Sequence, residues 1–214
     1  MDKVLKLFRK LKKSESNFII VLSRFLWIKL FNKKQLLLHQ KVKITGLKNI
    51  EVKGIVEIGV NYVGFSHKTD KTYLNIQGKL IFKGKYSIGR GCRFDIGKDA
   101  LVTIGSGGYI NCNTNLIIMH RLQIGDNCAI SWNCQFLDED FHEIKYSGKK
   151  PTQNSIVIGN DVWIGCGVKI YKGTVIPNGS IIASDTIVKG VFEIENSLIG
   201  GNPARVIKEG VRWE

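Results

Sequence analysis

From Ile158 to Ile199 the chain repeats every six residues: IGNDVW, IGCGVK, IYKGTV, IPNGSI, IASDTI, VKGVFE, IENSLI. Each hexad opens on an aliphatic residue: Ile158, Ile164, Ile170, Ile176, Ile182, Val188 and Ile194. An amphipathic helix repeats its apolar residues at three and four, and a half-buried strand at two, so a strict six fits neither. It fits a parallel β-helix, in which each hexad is one short flat face and three faces close a coil. The leading aliphatic residue points inward and stacks on its counterpart one coil along. A Gly or Ala beside it lets the chain turn the corner.

The same period, more ragged, extends upstream. Residues 76–93 read IQGKLI, FKGKYS, IGRGCR; residues 104–115 read IGSGGY, INCNTN; residues 124–135 read IGDNCA, ISWNCQ. Two stretches break it. Val60–Tyr73 is expected to loop out, with His67 solvated in it. Leu137–Ser155 (LDEDFHEIKYSGKKPTQNS) separates two regular blocks and is expected to bulge from a rigid scaffold as an insertion, 137–155. Function concentrates in long loops held by rigid elements. This one carries His142 among Asp138, Glu139, Asp140 and Glu143.

Charge divides the chain. The net charge is +14, but residues 1–43 hold twelve Lys and Arg against Asp2 and Glu15, a net +10. No nucleic-acid-binding motif accompanies it, so nucleic acid is not an expected partner. Residues 1–38 read as helix, and residues 1–40 form a basic amphipathic segment preceding a β-helix over 41–207 and a tail over 208–214. The apolar run Phe18–Phe31 is broken by Ser23, Arg24 and Lys29 and falls short of the ~20 apolar residues of a spanning helix. Two roles stay open for the segment: peripheral contact of residues 1–43 with an anionic membrane, or a cap over the open end of the β-helix. No signal-peptide cleavage pattern is present, and a cytoplasmic protein, peripheral at most on the inner membrane face, is expected. Five Cys without a CxxC pair point away from zinc or redox work; Cys92, Cys128 and Cys134 fall at the small fifth slot of their hexads and are expected as inward filler. After Gly200-Gly201-Asn202-Pro203 a turn and a short C-terminal helix are expected.

The hexads of 158–190 followed by GGNPARVIKE resemble the hexapeptide-repeat O-acetyltransferases, and FLDEDFHEI resembles the subgroup that acetylates capsule, exopolysaccharide or lipopolysaccharide sugars. The resemblance covers about residues 80–208. It implies an all-β fold, a left-handed parallel β-helix, assembled as a homotrimer with acetyl-CoA as donor, no metal, and an active site between neighbouring subunits. By the same resemblance His142 is the catalytic histidine, Asn111 and Trp163 contact the acceptor, and Gly165, Cys166, Ser184, Lys189 and Arg205 lie along coenzyme A. Lys189-Gly190 stands where the family often has Thr-Lys, and Cys166 where Ser or Ala is commoner.

The chemistry of the residues agrees. Acetylating a hydroxyl needs a base that titrates near neutrality, which suits histidine. Asp140, two residues away, or a backbone carbonyl would orient the ring. A backbone N–H near Gly165–Cys166 would hold the oxyanion. Direct attack in a ternary complex needs no second nucleophile. Other readings are an N-acetyltransferase acting on an amino-sugar nucleotide and a non-catalytic β-helix scaffold. A zinc enzyme resembling the γ-type carbonic anhydrases is disfavoured, because His67, His120 and His142 lack the short ligand spacing of such a site.

Overall fold

The computed structural model describes residues 2–143, 145, 147–148 and 153–214. Residues 144, 146 and 149–152 of the expected insertion, and Met1, lie outside the described residues. Strands run parallel up three faces of a prism. The first face starts at Leu36–Leu38, the second at Val42–Thr45 and the third at Ile50–Val52. The chain visits first, second and third face in turn, coil after coil, which is a parallel β-helix.

The register explains the six-residue period. On the first face Ile58, Ile88, Ile110, Ile130, Ile164, Ile182 and Ile199 align in one inward column, and all are buried. Phe94, Leu116, Phe136, Ile170 and Val188 form the column of the second face. Burying one such side chain contributes about 1.5–3 kcal/mol, so the stacked columns dominate the stability of the coil. Cys92, Cys128 and Cys134 are buried as filler, and burial pushes the Cys92 and Cys134 thiols up to about 12, so neither ionises near neutral pH.

Corner chemistry uses two positions of the hexad. At the second, a Cβ on Gly165 would sit 2.7 Å from the backbone nitrogen of Ser184 in the next coil, so only glycine fits. At the fourth, the backbone enters the left-handed region, φ +71° at Gly167, which glycine adopts without strain. Asn and Asp tolerate that region next best and occupy it at Asn113, Asn133 and Asp185.

The structure departs from the sequence reading at both ends. The seventh hexad does not continue the stack. Ile194 is exposed, and Phe192 packs on the core after Val191 bridges Val175. The expected C-terminal helix is a strand, Ala204–Lys208, antiparallel to Leu198–Gly201. The β-branched pair Val206-Ile207 suits a strand, and the short Asn202-Pro203 connection returns the chain as a hairpin rather than starting a helix. At the other end, residues 1–38 are two helices, α1 (Asp2–Lys13) and α2 (Phe18–Asn32), and a first strand already at Leu36–Leu38. Asn17 caps α2 by accepting the Ile20 N–H at 3.1 Å. Helix α2 caps the coil: Val21 and Ile28 are buried against it, and the Arg24 guanidinium donates to the carbonyls of His39 and Val42 at 2.9 and 3.0 Å. Leu11, Val21, Leu37 and Val60 form the small core joining both helices to the prism.

Candidate active site

The insertion leaves the prism at the edge between second and third faces, from strand Gln135–Leu137 to strand Ile156–Ile158. Its first four residues are fixed one by one. The fully buried Asp138 carboxylate accepts the backbone N–H groups of Met119, His120 and Arg121 at 2.6, 2.9 and 2.9 Å. Glu139 meets the His120 ring at 2.7 Å and accepts the N–H groups of Asp140 and Phe141. The hydrogen bond to His120 holds the Glu139 carboxyl below its ordinary value. Asn154 reaches the same His120 nitrogen from the returning end of the loop, at 2.9 Å. The Asp140 carboxylate lies 2.8 Å from the Lys172 ammonium, on the next coil. Phe141 takes a positive φ of 59°, and His142 follows it, exposed to solvent. Among the described residues no hydrogen bond joins Asp140 to His142.

The remaining expected residues gather mostly on another edge, between first and second faces. Asn111, Ser131 and Gly165 stand in one column there, each N–H donating to the carbonyl of the following coil at 2.8, 2.9 and 2.8 Å. Because the Gly165 N–H is committed to Ile182, the Cys166 N–H is the free donor of that pair among the described residues. The Cys166 thiol lies 3.3 Å from the Ser184 hydroxyl, which is exposed. Trp163, on the first face, is 40% exposed and donates its indole N–H to the Ser131 hydroxyl at 3.3 Å. Asn111 accepts the Cys112 N–H through its own side chain and lines a cleft of about 260 Å³ with Asn61, Val63, Ser87 and Tyr109.

The expected residues therefore split. His142, Asp140 and the exposed Lys189 share the second/third edge, while Asn111, Gly165, Cys166 and Ser184 share the first/second edge beside Trp163. Arg205 is exposed on the terminal strand of the first face, paired with Gly200. Several side chains at these places escaped the sequence reading. Lys172 gives no signal, being one lysine among many. Trp213 packs 6.4 Å from Trp163 and donates to the Asp161 carbonyl at 2.7 Å, from a tail that carries no repeat. The break at 60–73 was legible as a loop, but not that its Phe65 would meet Trp132 edge-on at 5.5 Å. Among the described residues no group of three or more His, Cys, Asp or Glu is arranged to hold a metal ion.

The chain is similar in sequence to known proteins. The chain is 36% identical over 216 residues to the "uncharacterized 24.8 kDa protein in cps region" of Klebsiella pneumoniae, spanning all of this chain and 97% of that one. It is 25% identical over 148 residues, 64% of this chain and 75% of the relative, to a putative lipopolysaccharide biosynthesis O-acetyl transferase, WbbJ, of Escherichia coli. It is 33% identical over 111 residues to the galactoside O-acetyltransferase of Escherichia coli, half of this chain and 54% of that one. No family model matches the chain. The chain belongs to the hexapeptide-repeat acetyltransferases. Its fold is a parallel β-helix of hexapeptide repeats, and it is an acyltransferase.

Proposed function

We propose that the protein transfers the acetyl group of acetyl-CoA to a sugar hydroxyl of a bacterial surface glycan, capsule, exopolysaccharide or lipopolysaccharide, or of its precursor. The observation that carries this reading is the loop beginning at Asp138. A buried carboxylate and three backbone N–H groups anchor it, and it presents His142 to solvent beside a rigid coil. The name of the lipopolysaccharide-biosynthesis relative of Escherichia coli supports a surface glycan, and that of the galactoside O-acetyltransferase supports a sugar acceptor.

In this mechanism the neutral His142 imidazole takes the proton of the attacking hydroxyl as its oxygen bonds to the thioester carbonyl carbon. The Cys166 N–H holds the developing oxyanion. The C–S bond then breaks, and the coenzyme A sulfur leaves with a proton. Asp140 steadies the segment that carries His142. Asn111 and Trp163 bind the acceptor, while Gly165, Ser184, Lys189 and Arg205 lie along coenzyme A.

The split of these residues over two edges supports a homotrimer. Two edges of one prism face apart. The second/third edge of one copy placed against the first/second edge of the next makes a heterologous contact that closes as a ring. Each site then takes its histidine from one copy and its acceptor and oxyanion groups from another. The basic segment, residues 1–43, supports a peripheral place on the anionic inner face of the membrane, where cytoplasmic acetyl-CoA is available. Incubating the protein with radiolabelled acetyl-CoA and a panel of mono- and oligosaccharides tests the reading. Label is expected on a sugar hydroxyl; transfer only to amino sugars, or to none of the panel while coenzyme A binds, contradicts it.

A further inference from the structure

Helix α2 has two apolar faces, and only one of them is used. Val21 and Ile28 are buried against the first coil, and Arg24 pins the helix there. On the other side Ile19, Ile20, Leu26, Trp27, Leu30 and Phe31 are all exposed, from 43% at Ile20 to 76% at Ile19. At 100° per residue these six fall within an arc of about 140°. The single polar residue inside that arc is Ser23, and its hydroxyl donates back to the Ile20 carbonyl at 3.1 Å. The face is therefore apolar apart from that one hydroxyl; at its edge Trp27 and Ser23 also border a cleft with Leu38, Ile44 and Leu47 of the first coil, while Ile19, Leu26, Leu30 and Phe31 stay exposed.

The surroundings of this face say what it fits. From Ser16 to Ile50 the chain contains no Asp or Glu, while Arg24, Lys29, Lys33, Lys34, Lys41, Lys43 and Lys48 supply positive charge. Lys33 closes the helix in the left-handed conformation, with Lys34 after it, so cations stand at one end of the apolar arc. An apolar stripe edged by cations and holding a Trp matches the boundary between anionic headgroups and acyl chains. A second copy of the same helix matches it poorly, because it would bring cations against cations with no anion among them. No described helix is long and apolar enough to cross a membrane. At about 1.5 Å per residue, α2 would reach about 22 Å through a hydrocarbon layer of about 30 Å.

We propose that Ile19, Leu26, Trp27, Leu30 and Phe31 dock α2 flat into the surface of an anionic bilayer, so that the cap of the β-helix is also its membrane anchor. The proposal rests on the peripheral reading of residues 1–43 and names the face that makes the contact. In a homotrimer built of side-by-side prisms, three such faces lie at the same end, and each raises the effective concentration of the others at the surface.

The test uses the full chain with vesicles of phosphatidylglycerol and phosphatidylcholine, and with vesicles of phosphatidylcholine alone. Wild type is expected to float with the anionic vesicles and at least tenfold less with the neutral ones. The variant Trp27→Ser/Leu30→Ser/Phe31→Ser should bind anionic vesicles at least tenfold more weakly with its melting temperature retained. Brominated lipid should quench wild-type tryptophan fluorescence, and the conservative Trp27→Phe should lose that quenching. Wild type that ignores anionic vesicles overturns both the peripheral reading and this face. Wild type that binds while both variants bind and quench as it does overturns the face alone. A sedimentation shift of the triple variant to a smaller assembly, with no vesicle binding by wild type, makes the face a contact between copies and overturns the proposal.

Discussion

The Asp140 carboxylate and the Lys172 ammonium lie 2.8 Å apart, joining the outgoing loop to the next coil two residues before His142. Asp140 is 55% exposed and Lys172 only 16%, so the pair contributes little to stability, about 0–1 kcal/mol. Its effect on geometry is larger, since a shift of about 1 Å in a reacting group costs up to about a hundredfold in rate. Lys172→Met should leave the melting temperature within a few degrees and lower acetyl transfer by roughly tenfold or more. Unchanged turnover would show that the pair does not position the histidine.

Asp138 anchors the same segment from inside. Replacing it with Ala strands three N–H groups beneath the loop, and each buried unsatisfied group costs about 1–3 kcal/mol. Asp138→Ala should therefore destabilise the protein by about 3 kcal/mol or more in urea unfolding. Glu143→Ala, on an exposed side chain of the same loop, should cost within about 0.5 kcal/mol. Equal midpoints for the two variants would contradict the anchoring role.

The period of six residues made the β-helix legible because every coil repeats the same inward aliphatic positions. That signal failed where the coil ends. Ile194 kept the spacing in sequence, but no following coil covered it, so Phe192 packs there and the register is lost. The tail read as helix because its turn residues were visible and its pairing partner, Leu198–Gly201, was not; antiparallel pairing is a long-range fact that local pattern does not encode. At the candidate site, His142 stood out because the repeat breaks around it. The three N–H groups on Asp138, the Lys172 partner of Asp140 and the Trp213–Trp163 contact depend on which residues successive coils and the returning tail bring together. The same reason hides the distribution of the expected site residues over two edges, which appears only once the faces are assigned.

His39 links pH to the N-terminal cap. Its side chain is buried, its Nδ1 accepts the Lys41 N–H at 3.2 Å, and its Nε2 has no hydrogen-bond partner. Burial, with Arg90, Arg24 and Lys41 nearby and only Asp70 opposing, lowers its pKa to about 4. The unfolded chain, near 6.5, then binds the proton first. Stability is full above pH 6.5 and falls as pH drops toward 4, by roughly 3 kcal/mol if the whole shift is expressed. His39→Asn, whose amide oxygen can take over the Lys41 N–H, should flatten the decline between pH 6.5 and 4. An identical pH slope in the variant would assign the acid sensitivity elsewhere.

Acetyl-CoA should stabilise the fold by about 2.7 kcal/mol at a hundred times its dissociation constant, read as a thermal shift. Arg205 is exposed on the last strand, where a guanidinium can meet a phosphate in bidentate fashion. Arg205→Ala should weaken coenzyme A more than it weakens the 3′-dephosphorylated analogue. Equal weakening of both by calorimetry would place Arg205 away from that phosphate.

Acetyl transfer by His142→Ala and His142→Asn decides whether His142 is the general base. General-base catalysis contributes about 10²–10⁴-fold, so both variants should lose turnover on that scale. Asn is as inactive as Ala in this account because an amide hydrogen-bonds but does not accept the proton. An exposed loop side chain contributes within about 0.5 kcal/mol, so the melting temperature should hold. Coenzyme A affinity should hold as well, since in the proposed site the coils rather than the loop bind it. Turnover near the wild-type rate in either folded variant would contradict the account.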